Sequence, residues 1–105
     1  MRWYGVLISA LIGQKATAVH DGQVIFADWL RGYGQLIIID HGDDYLTLYA
    51  HNQSLLKQEG SFVVAGEQLA LIGQTGGQST PALYFEVRFK GRPQDPLIWL
   101  GKQLP

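Results

Sequence analysis

The sequence predicts an all-β domain, built as a single compact antiparallel sandwich or barrel, on three observations. Thirteen glycines and four prolines punctuate the 105 residues, which suits strands joined by tight turns better than helices. The apolar runs between them are short and rich in β-branched and aromatic residues. Only Asn52 to Gln58 (NQSLLKQ) has room for a helical turn or two.

The first expected strand is Val6 to Leu11. Met1-Arg2, the apolar stretch to Gly13 and then Ala16-Thr17-Ala18 imitate a signal peptide. Gly5, Ser9 and Gly13 interrupt that stretch, however, and Val6, Leu7 and Ile8 suit a buried strand, so the segment is read as one. Further strands are expected at Ala16 to His20, Gln23 to Leu30, Gln35 to Asp40, Tyr45 to Ala50, Phe62 to Val64, Gln68 to Ile72 and Leu83 to Phe89. Turn residues separate them: Asp21-Gly22, Gly32-Tyr33-Gly34, His41-Gly42-Asp43-Asp44, Glu59-Gly60, Ala65-Gly66 and Gly76-Gly77. Leu36-Ile37-Ile38-Ile39 is apolar without alternation, the mark of a central strand covered on both faces. In Ala82 to Arg88, by contrast, Leu83, Phe85 and Val87 share one face and belong in the core. Ala82, Tyr84, Glu86 and Arg88 share the other and look outward or into a cleft. The segment Pro93 to Leu100 reads as a turn that docks Trp99 on the body. No internal repeat or linker divides the chain, so residues 1–105 form one domain.

Composition excludes several classes. Hydrophobic residues make up 47% and charged residues 16% of the chain, against roughly 25% charged on average, which rules out a disordered polymer. A net charge of -1 and a pI of about 6.2 leave no basic field for nucleic acid or an anionic membrane. The absence of cysteine removes disulfides, thiolate zinc sites and a cysteine nucleophile. No apolar stretch approaches the roughly 18 residues of a membrane span.

The three histidines, His20, His41 and His51, match no local zinc motif such as H-E-x-x-H. His20 reads as a strand-end or turn residue, and His41 as a histidine hydrogen-bonded at a strand end. No serine lies in a G-x-S-x-G elbow. Gly73-Gln74-Thr75-Gly76-Gly77-Gln78-Ser79 lacks the lysine of a phosphate-binding loop and leads to a strand; it reads as a mobile loop at a cleft edge or as a turn without a role.

Taken in order, Gly22-x-Val24, Gly32-Tyr33-Gly34, Asp40-His41-Gly42, Leu48-Tyr49-Ala50-His51, Gly60-x-x-Val63-x-Ala65-Gly66, Ile72-Gly73-x-Thr75-Gly76 and Leu83-Tyr84-Phe85-Glu86-Val87-Arg88 resemble the LytM or lysostaphin-type zinc metallopeptidase domain. That resemblance implies the duplicated hybrid motif fold and, in active members, hydrolysis of peptidoglycan crossbridges. Such members hold zinc through an H-x-x-x-D motif and the second histidine of an H-x-H motif. Carried onto this chain, the three ligand positions hold Trp3, Leu7 and Tyr84, and Ala82 replaces the first histidine of H-x-H. His51 alone keeps a family catalytic position. Trp and Leu offer no lone pair to a metal, so the expectation is no bound metal or other cofactor and no peptidase activity.

Within this family, Ala27-Asp28-Trp29-Leu30-x-Gly32-Tyr33-Gly34, Tyr49-x-x-Asn52-Gln53-Ser54, Gly76-Gly77-Gln78, Tyr84-Phe85-Glu86 and Trp99-Leu100-Gly101 resemble the carboxy-terminal domain of EnvC-like murein hydrolase activators. The resemblance implies a periplasmic protein that switches on N-acetylmuramoyl-L-alanine amidases during daughter-cell separation. It also implies that this chain is the C-terminal part of a longer exported parent. The groove of such a domain would bind protein, with Tyr33, Tyr84 and Arg88 as anchors and Trp3 and Leu7 as floor. A peptidoglycan-binding module is the alternative, and a residual zinc endopeptidase ranks third.

Overall fold

The computed structural model describes residues 5–97. Among these residues nine strands follow in chain order: β1 (Val6–Ser9), β2 (Lys15–Thr17), β3 (Gly22–Leu30), β4 (Gly34–Gly42), β5 (Tyr45–Leu55), β6 (Phe62–Val63), β7 (Gln68–Ile72), β8 (Ala82–Phe89) and β9 (Arg92–Gln94). All pair antiparallel. The main sheet runs β1-β8-β5-β4-β3-β6, β9 extends β8, and β2 joins through β7 to the far end of β5.

The apolar run at Leu36 to Ile39 makes β4 a central strand, as expected, with Leu36, Ile37 and Ile39 buried. Its partner β5 is the longest strand, and it serves two layers. Tyr45 to Ala50 pair with β8, whereas Asn52 to Leu55 pair with β7. The change comes at a bulge where Ala50 and His51 together oppose Leu36, and His51 takes a left-handed φ of 65°. Such a bulge bends a strand and re-aims the side chain it carries. Beyond it, β5 carries β7 and β2 over one face of the main sheet. Ala16, Leu69, Ala70 and Ile72 from that layer close on Val24, Ile37, Ile39, Tyr49, Phe85 and Val87 from the main sheet, which is the principal core.

The opposite face of β4, β5 and β8 holds a smaller apolar cluster. Leu36, Leu48 and Ala50 are its buried members, with Phe26, Tyr33, Ile38, Leu46 and Tyr84 packed against them. The residues singled out in the sequence as a candidate binding site, Tyr33 and Tyr84 among them, lie on this face.

Four expectations need correction. Asn52 to Leu55 continue β5 rather than turning helically, because β7 supplies a ladder for their backbone groups. Arg92–Gln94 is a strand paired with Val87 to Phe89, not a turn, and Trp99 lies outside the described residues. The second face of β8 is only partly outward: Ala82 and Glu86 are buried on it. The loop after β7 is fastened rather than mobile at Thr75, whose bonds are described below. The readings of His20 at a turn and of His41 as a hydrogen-bonded strand-end residue agree with the structure.

Candidate functional site

On a strand, residues two apart share a face, so β8 presents Tyr84, Glu86 and Arg88 in a row. Ala50, Leu48 and Leu46 stand opposite them on β5, and Leu7 stands opposite Tyr84 on β1. Tyr33 comes from the turn between β3 and β4, its ring 6.0 Å from that of Tyr84. The His51 ring is also 6.0 Å from Tyr84. The structure therefore brings together Leu7, Tyr33, His51, Tyr84 and Arg88; Trp3 lies outside the described residues. Leu7 is 58% exposed, so it stands at the margin of this face and does not floor it: β1 is the edge of the sheet and nothing described covers that side chain. Tyr84 packs against Gly5, where a Cβ would stand 2.6 Å from Cζ of the tyrosine.

Glu86 organises the row. It is wholly buried, and an unpaired carboxylate there would be costly. Both its oxygens are used: the Tyr84 hydroxyl donates to Oε2 at 2.7 Å, and Arg88 Nε donates to Oε1. Burial, then the bond to Glu86, pushes the Tyr84 hydroxyl well above its ordinary range, so it stays protonated and donates. Burial alone would pull the Arg88 guanidinium down, but the Glu86 carboxylate beside it more than offsets this and holds it charged. Sequence reasoning passed over Glu86. The signal was present, since a carboxylate inside an alternating strand with a hydroxyl donor two residues before and a guanidinium two residues after is a self-contained network.

His51 is 5% exposed. Its Nδ1 lies 2.8 Å from the Thr75 carbonyl, which can only accept, so Nδ1 carries the hydrogen and Nε2 is the acceptor in the neutral ring. Burial lowers its pKa, against the raising effect of its bonds to Thr75 and Tyr33. The backbone N–H of His51 donates to the Tyr33 carbonyl at 2.8 Å. Thr75 completes the joint: its hydroxyl accepts from Gln35 N–H at 3.1 Å and donates to the Asn52 carbonyl at 2.6 Å. This joint demands close backbone approach. A Cβ on Gly76 would meet Gly34 N at 2.6 Å and His51 Nδ1 at 2.9 Å.

These residues do not fit a hydrolytic zinc ion. Leu7 has no donor atom and Tyr84 Oη is protonated and bonded to Glu86, which leaves Nε2 of His51 as a single imidazole donor, too few for a hydrolytic zinc. Among the described residues no three His, Cys, Asp or Glu side chains converge to hold a metal. His41 lies away from this face, with Nδ1 on the Asp21 carbonyl at 2.7 Å and Nε2 on Thr47 Oγ1 at 2.6 Å.

The profile of peptidase family M23 matches residues 1–96. The chain belongs to this family. The M23 domain is 47% identical over 97% of its length to the murein hydrolase activator EnvC of Escherichia coli (strain K12), and 48% identical over 94% to the murein hydrolase activator NlpD of Salmonella dublin. It spans about a quarter of each, 24% and 26%. The catalytic domain of the antimicrobial peptidase lysostaphin from Staphylococcus simulans superposes with a TM-score of 0.89 at 28% identity, over 94% of this M23 domain and 79% of that chain. No helix among the described residues is long and apolar enough to cross a membrane.

Proposed function

We propose that this M23 domain is a non-catalytic activator of cell-wall N-acetylmuramoyl-L-alanine amidases in the periplasm, acting in peptidoglycan remodelling and daughter-cell separation. The observation that carries the reading is that Leu7 and Tyr84 stand side by side where the family resemblance places two zinc ligands, an aliphatic and an aromatic side chain in place of two donors. The names of the relatives, both murein hydrolase activators, support it.

Tyr33, Tyr84 and Arg88 are the proposed anchors, with Leu7 at the margin and Trp3 as a further contact. Large, rigid side chains of this kind supply contact area at low entropic cost. An amidase held shut by one of its own segments opens if this face binds the released segment more tightly than it binds the closed enzyme; the difference in affinity sets the size of the shift.

The test is an amidase assay on dye-labelled sacculi, with and without the chain. Dye release only when amidase and chain are present together is the expected result. Release by the chain alone, accompanied by stoichiometric zinc in metal analysis, would establish an endopeptidase instead. Pelleting of the chain with sacculi without any stimulation would establish a wall-binding module.

A further inference from the structure

We propose that Glu86 is the positioning residue of this face, holding Tyr84 and Arg88 in one arrangement that presents the Nη edge of Arg88 to a carboxylate on the amidase segment docking there. The inference rests on the amidase reading and adds the chemistry of the contact.

Three features carry it. First, Glu86 is buried beside an apolar cluster that gives it no reason to be charged: Leu48 stands directly opposite, next to Leu36 and Ala50. An apolar side chain of similar volume would fill that place at least as stably, since burying an ion pair is commonly neutral or worse than burying hydrocarbon. Second, the carboxylate is divided between two side chains of the proposed interface, one oxygen for each. Both Tyr84 and Arg88 reach the surface only in part. A long arginine loses rotamer freedom when it docks, and the bond through Nε removes much of that freedom in advance. Third, Arg88 spends only Nε on Glu86. Among the described residues its Nη nitrogens form no hydrogen bond. A guanidinium held by Nε keeps a two-pronged edge, the geometry that matches a second carboxylate. Leu46, opposite Arg88 on β5, leaves the guanidinium with an apolar neighbour, where a charged bond is less weakened by water.

The experiment uses the full chain with a purified N-acetylmuramoyl-L-alanine amidase and dye-labelled sacculi, reading the chain concentration for half-maximal stimulation alongside the denaturation midpoint. Glu86→Met is expected to raise that concentration at least tenfold without lowering the midpoint, a split that a purely structural role does not produce. Glu86→Gln, which keeps an acceptor for Tyr84 but sets an amide against Arg88, is expected to weaken stimulation in the wild-type background and to add nothing to Arg88→Ala. The wild-type concentration should rise with salt, and that dependence should flatten in Arg88→Gln. Undiminished stimulation by both Glu86 variants overturns the positioning role, as does full additivity with Arg88→Ala; salt-independent wild-type stimulation overturns the carboxylate contact. No stimulation by the wild-type chain overturns the amidase reading itself, which separates the two failures.

Discussion

Leu7 and Tyr84 face each other across the ladder between β1 and β8. Directly opposed residues on one face of an antiparallel pair have Cβ atoms about 5 Å apart, close enough for two side chains to share one metal ion. The positions assigned to two zinc ligands by family resemblance are thus neighbours in space, although far apart in the chain. The triple variant Trp3→His, Leu7→Asp, Tyr84→His is therefore expected to bind zinc, detected by calorimetric titration against the wild type. A variant that folds and takes up no zinc would show that these are not the ancestral ligand positions.

Truncating the anchors tests the interface. Tyr84→Ala and Arg88→Ala should each cost about 2 kcal/mol of affinity, the size typical of a hot-spot residue, or roughly 30-fold in the concentration needed for amidase stimulation. Below the unfolding transition, far-ultraviolet circular dichroism should remain that of the wild type, while Arg88→Ala should lower the denaturation midpoint by leaving the buried Glu86 carboxylate without its cation. Full stimulation by both variants would remove them from the interface.

Two adjacent glycines should respond differently to alanine. Gly76 and Gly77 have φ of 78° and 85°, so either substitution meets the left-handed penalty of about 1–2 kcal/mol. A Cβ on Gly77 has open space, whereas one on Gly76 enters the joint between Gly34, Tyr33 and His51. Gly76→Ala should therefore lose clearly more stability than Gly77→Ala in urea titrations, and it should also weaken amidase stimulation, because Tyr33 and His51 share that joint.

Acid should loosen the fold before the carboxylates titrate. His41 and His51 both have lowered pKa values, with burial the leading cause in each. Unfolded, each takes up a proton near its ordinary value of 6.5; folded, each resists until lower pH. Stability from this source is complete above about pH 6.5 and declines as pH falls toward the folded values. Unfolding midpoints measured from pH 7.5 to pH 5 should drop, and the drop should be smaller in His41→Gln. A flat profile would mean that neither ring is held neutral by the fold.

Much of this architecture was legible in the sequence, and the parts that were not have physical reasons. Gln68 to Ile72 is a strand with the expected bounds, and the continuous apolar run in β4 correctly indicated cover on both faces. Local patterning could not reveal the extension of β5 past His51, because its ladder partner β7 lies well along the chain and a polar segment such as Asn52-Gln53-Ser54 carries no strand periodicity of its own. Strand β9 was hidden by Pro93, which usually signals a turn but is tolerated at a sheet edge. At the site, alternation placed Tyr84, Glu86 and Arg88 on one face. It did not show that Glu86 would be buried, since Phe26, Leu36 and Leu48 gather there only in three dimensions. Nor could it show Thr75 tied to Gln35 on β4 and to His51 and Asn52 on β5.

The alternation of β8 has one more consequence. Phe85 and Val87 prop the principal core from beneath, while their immediate neighbours Tyr84, Glu86 and Arg88 look the other way. Foundation and workface are interleaved along a single strand yet share no side chains. Side chains on the workface can therefore be exchanged one by one without lifting a stone of what stands underneath.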